Sequence, residues 1–147
     1  MPRYLRTELG VKGILHRRGR LLLLHRRDDL AVAPGLWDMP GGGVEVGDSL
    51  EDTLVREVRE ETGFAVRVGR TIHAQIVRTR TTSGRPLIVA VLFYECSTRA
   101  AGSPRLDRSE HTEYAWVAHD KLSDYPVPPD QAEAIRKALG RKAIAGS

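Results

Sequence analysis

The sequence predicts an α+β fold: one domain with a mixed β-sheet and two helices. Three observations carry this. Apolar runs with strand-like spacing lie on both sides of one strongly amphipathic helical segment, giving the order strands, loop, helix, strands, helix. A glycine- and proline-rich stretch separates the first strands from that helix. The length of 147 residues, with 41% hydrophobic and 29% charged residues, fits a single soluble domain over residues 1–147.

The elements follow in order. Gly10–Arg17 and Arg20–Arg26 are apolar runs separated by Arg18-Gly19, a hairpin signal. Arg27–Gly47 carries Pro34, Gly35, Pro40, Gly41, Gly42, Gly43 and Gly47, and so many breakers predict an ordered loop with no regular element. Ser49–Thr62 reads as a helix, with Ser49 as N-cap, Asp48 and Glu51 near its positive end and Gly63 as its stop. Val66–Thr82 and Leu87–Cys96 read as strands joined around Ser83-Gly84, the second almost wholly apolar and therefore central. Ser97–Ser109 is a polar connection, and Tyr114–Val117 a short strand. Pro128-Pro129 opens a last helix, Asp130–Leu139, with an Asp130-x-x-Glu133 capping box and Gly140 as terminator. Arg141–Ser147 is expected to fray.

Composition removes several function classes. The longest apolar stretches, Leu21–Leu24 and Leu87–Tyr94, are too short to span a bilayer, and the first residues hold no signal-peptide core. A single cysteine, Cys96, forms no internal disulfide, which points to a reducing, cytoplasmic setting. The net charge is only +4, its arginines are scattered, and two Trp and two Phe offer little stacking surface. Extended nucleic-acid binding is therefore not expected. A small anionic molecule is the expected partner of a monomer or homodimer.

The helix at Ser49–Thr62 has acids in an unusual place. At about 100° per residue, Leu50, Leu54 and Val58 fall within roughly 80° of one another and mark the buried face. Glu57 and Glu61 lie within about 20° of Leu50, with Glu60 on the flank and Asp52 and Arg59 toward solvent. Carboxylates aimed along an apolar stripe protonate, pair with a cation or bind a metal. The alternative is a solvated helix laced by pairs such as Arg56–Glu60. For a metal, carboxylate donors suit Mg²⁺, with Mn²⁺ as a substitute, and the dispersed His16, His25, His73, His111 and His119 build no zinc site.

Together, the glycine turn and the acids carry a family resemblance. Gly42-x5-Asp48-x7-Arg56-Glu57-Val58-Arg59-Glu60-Glu61-Thr62-Gly63-Phe64 resembles the Nudix box, G-x5-E-x7-R-E-U-x-E-E-x-G-U with U apolar. Asp48, where the family has Glu, is the one departure over these 23 residues. The approach Trp37-Asp38-Met39-Pro40-Gly41 is similar as well.

The resemblance implies an α/β/α sandwich around a central mixed sheet, and hydrolysis of a nucleoside diphosphate linked to a further group. It implies that Glu57, Glu60, Glu61 and the Gly41 carbonyl hold the metal, with Glu57 or Glu60 also polarising water. Arg56 would orient the carboxylates, Glu110 would be a further acid, and Asp48 would pair with Arg56 or set the loop. Markers of the branches acting on ADP-ribose, diadenosine polyphosphates, NADH and coenzyme A are missing, Arg78-Thr79-Arg80-Thr81 standing where a proline or tyrosine would be. Arg26-Arg27 and Pro128-Pro129-Asp130-Gln131 resemble the branch that cuts (d)NTPs, oxidised purine triphosphates included, to (d)NMP and pyrophosphate. In that reading Arg26 and Arg27 hold phosphate, while Asp130 and Gln131 read a purine edge. A nucleotide-sugar hydrolase of GDP-mannose type and a non-catalytic nucleotide sensor are the alternatives.

Overall fold

The computed structural model describes residue 1 and residues 4–145. Among the described residues, seven strands and two α-helices follow one another as β1 (Glu8–Arg17), β2 (Arg20–Arg26), β3 (Trp37–Asp38), β4 (Gly41–Gly43), α1 (Leu50–Thr62), β5 (Arg67–Arg80), β6 (Pro86–Ser97), β7 (His111–Val117) and α2 (Pro129–Ala145), with a 3₁₀ turn at His119–Asp124. The sheet runs β3-β2-β1-β6-β5, with β4 also on β1 and β7 also on β2. Among the described residues only β1 and β6 pair in parallel, so the sheet is mixed.

Two apolar layers hold the sandwich together. Under α1, Leu54 and Val58 meet Val11, Leu15, Leu22, Leu24, Phe64 and Tyr94. On the opposite face, Ala134, Ile135 and Ala138 of α2 meet Ile14, Leu21, Leu23, Met39, Ile72, Val91 and Phe93. β2 supplies side chains to both layers, which is why its leucines run without a polar break. β6 is central, as its apolarity predicts. No helix among the described residues is long and apolar enough to cross a membrane.

Three expectations need correction. Arg27–Gly47 contains β3 and β4, because pairing with β2 and β1 decides these residues, and local breakers do not. Gly41 could not carry a side chain there: a Cβ would lie 2.0 Å from the Val11 carbonyl oxygen. The last helix begins at Pro129 and runs through Gly140 to Ala145, so Gly140 does not stop it. Residues 146–147 lie outside the described residues. The capping box is absent as well: Asp130 is already helical, and the Glu133 carboxylate takes the Arg136 guanidinium.

Candidate active site

Helix α1 is set by its ends. The Ser49 hydroxyl accepts the Asp52 N–H at 3.1 Å, and Gly63 closes the helix in the left-handed region at φ 77°. Leu54 and Val58 then fix the rotation, which turns Glu61 inward to 5% exposure. Its Oε2 accepts the Gly41 N–H at 3.1 Å. Glu57 is partly buried beside Gly42, where an added Cβ would lie 2.6 Å from the Glu57 carboxyl carbon. The bare glycine surface is thus the cradle of the Glu57 carboxylate. Glu60 points outward from the same helix, with 58% of its side chain exposed.

Arg56 spans the mouth of this acidic row. Its Nη1 lies 2.9 Å from Asp48 Oδ2, its Nη2 3.9 Å from Glu57 Oε1 and its Nε 4.0 Å from Glu60 Oε1. The shorter Asp48 therefore still reaches Arg56. Burial, reinforced by Glu60, raises the Glu57 pKa above the ordinary carboxylate value. Glu61 is raised further, by burial that the nearby Lys12 charge and the Gly41 N–H only partly offset. Glu110, exposed in the turn before β7, adds its negative charge at both Glu57 and Glu61. Among the described residues, no three carboxylate, imidazole or thiolate groups are drawn together closely enough to enclose an ion. Glu57, Glu60 and Glu61 do not converge on a point. Their oxygen-only chemistry and the glycine cradle nonetheless fit a hard divalent cation.

A cavity of about 300 Å³ opens beside the glycine turn, lined by Lys12, Arg26, Asp38, Arg78, Asp130 and Gln131 together with Val77, Val89 and Val91. Asp38, 2% exposed, is its electrostatic centre. Lys12 Nζ donates to Asp38 Oδ1 at 2.9 Å, Gln131 Nε2 donates to the same oxygen at 2.6 Å, and Arg26 Nη1 donates to Oδ2 at 3.3 Å. His111 Nε2 faces Oδ2 at 3.4 Å. Burial works to raise the Asp38 pKa, but Lys12, His111 and Gln131 together hold it well below the usual carboxylate range. For Lys12, burial works downward, and Asp38 and Glu61 outweigh it to lift the ammonium above its ordinary value.

The four residues expected to bind substrate part company. Asp130 lines the cavity, buried to 9% exposure, with its pKa raised mainly by burial. Gln131, expected to read a base, has its amide already engaged: Oε1 accepts the Met39 N–H at 2.8 Å, and Nε2 donates to Asp38. Arg26, expected to hold phosphate, is tied to the Val32 carbonyl at 2.9 Å and to Asp38. Arg27 points elsewhere, onto exposed Asp29 at 2.6 Å. Tertiary structure thus turns Gln131 and Arg26 into internal struts, for which their sequence neighbours give no signal. Lys12, Asp38 and His111 were missed. Lys12, alone as a charge within the otherwise apolar Val11–Leu15, is the one that sequence could have flagged.

With this geometry in hand, comparison with known proteins is direct. The family model for the NUDIX domain matches residues 6–138. The chain is 31% identical over 135 residues to the nucleoside triphosphatase NudI of Escherichia coli strain UMN026, covering 89% of this chain and 93% of that protein. The solution structure of the Escherichia coli ORF135 protein superposes with a TM-score of 0.73 at 26% identity, covering 95% of this chain and 94% of that one. The crystal structure of a MutT protein from Methanosarcina mazei Go1 gives 0.72 at 27% identity, covering 95% and 99%. Nudix hydrolases generally use divalent metals. A Nudix box on α1, a mixed sheet between two helical layers and a family match over nearly the whole chain have one meaning: this protein belongs to the Nudix family of hydrolases.

Proposed function

We propose that the protein hydrolyses a nucleoside triphosphate to the monophosphate and pyrophosphate, with Mg²⁺ as the working metal and Mn²⁺ as a substitute. The observation that carries this reading is the placement of the Glu57–Glu61 row and the Gly41–Gly42 cradle beside a cavity whose wall presents Asp130. The 31% identity to a nucleoside triphosphatase supports the choice of substrate. The lone, buried Cys96 agrees with a reducing, cytoplasmic setting.

Glu57, Glu60, Glu61 and the Gly41 carbonyl would hold the metal, whose positive charge neutralises the phosphate oxygens and favours ionisation of water. Arg56 keeps Glu57 and Glu60 oriented while Asp48 braces its far side. Water attacks phosphorus, the bridging P–O bond breaks and pyrophosphate leaves with its electron pair. A carboxylate of the Glu57, Glu60 and Glu110 set takes the proton of the attacking water. In the cavity the Asp130 carboxylate accepts from the N–H donors of a purine edge.

A phosphate-release assay coupled to pyrophosphatase, run on nucleoside triphosphates and nucleotide sugars, tests the reading. Triphosphates should be cut to monophosphate with Mg²⁺ or Mn²⁺ and not with EDTA, and purines should show the lower KM. A nucleotide sugar cut far faster than any triphosphate would overturn the substrate assignment. Metal-independent turnover would overturn the metal site.

A further inference from the structure

The segment Asp38–Gly41 is a strap between the cavity and the acids, and nearly every polar group along it is accounted for. The Met39 N–H goes to Gln131 Oε1 at 2.8 Å, and the Met39 carbonyl accepts from Lys12 Nζ at 3.1 Å. The Pro40 carbonyl accepts the Gly13 N–H at 2.8 Å, and the Gly41 N–H goes to Glu61 at 3.1 Å. The Asp38 carboxylate takes Lys12, Gln131 and Arg26. Both bonds of the Met39 peptide groups are therefore made by side chains, one from β1 and one from α2. Those same two side chains, Lys12 and Gln131, line the cavity. At the other end, the strap sets the glycines that grip Glu61 and cradle Glu57.

We propose that Gln131 and Lys12 are positioning residues: they tie the cavity floor to the glycine strap, so that contacts with a nucleoside in the cavity set the alignment of the Glu57 and Glu61 carboxylates. This rests on the nucleotide reading of the cavity. Gln131 then acts on the reaction through the strap and not by reading the base. The physical basis is the packing itself. Gln131 is 4% exposed and Met39 fully buried in the α2-side core, so a shift at one moves the other and is not absorbed by solvent. Binding in the cavity and binding of a cation at the acids are coupled, and the coupling is reciprocal.

The test replaces Gln131 with a side chain of similar length and no hydrogen bonds, Gln131→Met, and reads two quantities. Mn²⁺ affinity of the nucleotide-free protein should weaken at least about tenfold, and kcat on GTP should fall by a similar factor, the scale seen when supports of metal ligands are removed. KM for GTP should move less than kcat. An unchanged Mn²⁺ affinity with the whole effect in KM would overturn the proposal and make Gln131 a base-reading residue. The unmodified protein supplies a second measurement should the variant not fold. Saturating guanosine, which carries no phosphate to bind the ion, should shift the Mn²⁺ dissociation constant by at least about fivefold, the lower range of coupling between sites. No shift would overturn the proposal. If no triphosphate is cut but Gln131→Met still weakens Mn²⁺ binding, the substrate reading falls and the strap coupling stands.

Discussion

Replacing Asp38 by asparagine removes one negative charge, keeps the volume, and leaves the Lys12 ammonium, four-fifths buried, facing a neutral amide. Breaking a buried ion pair by removing one partner costs about 3–5 kcal/mol. Because the Lys12 side chain keeps 20% exposure and Glu61 still acts on it, the low end applies, about 3 kcal/mol. With a urea m-value of about 1.5 kcal/mol/M, the midpoint of unfolding should fall by about 2 M at pH 7 with m unchanged. The pH dependence gives a second handle. The Asp38 pKa is depressed in the folded state, so its contribution is complete above the unfolded value of about 3.9 and is lost as pH falls toward the folded value. The gap between the two proteins should therefore narrow by about 1 kcal/mol between pH 7 and pH 3. Urea titrations followed by tryptophan fluorescence at both pH values measure this. A midpoint shift below about 0.5 M at pH 7, or a gap that stays constant at pH 3, would refute the claim that Asp38 is an ionised anchor.

Neighbouring glycines should respond in opposite ways. Gly42→Ala pushes only the mobile end of Glu57, so kcat should fall by about 10²-fold or more while the melting temperature moves little; Gly41→Ala drives a Cβ onto the β1 backbone and should unfold the protein. Glu61→Gln should lower kcat at least about 10²-fold and abolish measurable Mn²⁺ binding in a calorimetric titration. Asp48→Ala, which removes the 2.9 Å brace on a part-exposed Arg56, should cost less activity than Glu57→Gln in the same assay, and Asp48→Glu should keep or slightly raise it. Equal losses at Asp48 and Glu57 would mean that Asp48 itself contacts the metal.

Local chemistry determined much of this protein before any fold was known. The Ser49 cap, the Gly63 stop and the rotation of α1 follow from residues within one helix, and so does the inward aim of Glu61. The central place of β6 follows from its lack of a polar face. Asp48 and Arg56 lie eight positions apart on either side of the cap, so their pairing is a short-range matter as well.

Tertiary structure decided what sequence spacing does not encode. β3 and β4 exist because β2 and β1 supply their partners, although their own residues favour turns. Gly140 stays helical because the packing of Ala134, Ile135 and Ala138 against the sheet carries α2 past a weak local stop. Gln131 and Asp38 are 93 positions apart and Lys12 is 26 from Asp38, so no local pattern joins them. Desolvation joins them: once Asp38 is enclosed, its charge requires donors from whichever elements surround it, and β1, β2 and α2 provide them. Sequence alone thus set the acids on their helix, while the surrounding sheet and the last helix determined what holds the glycines against them.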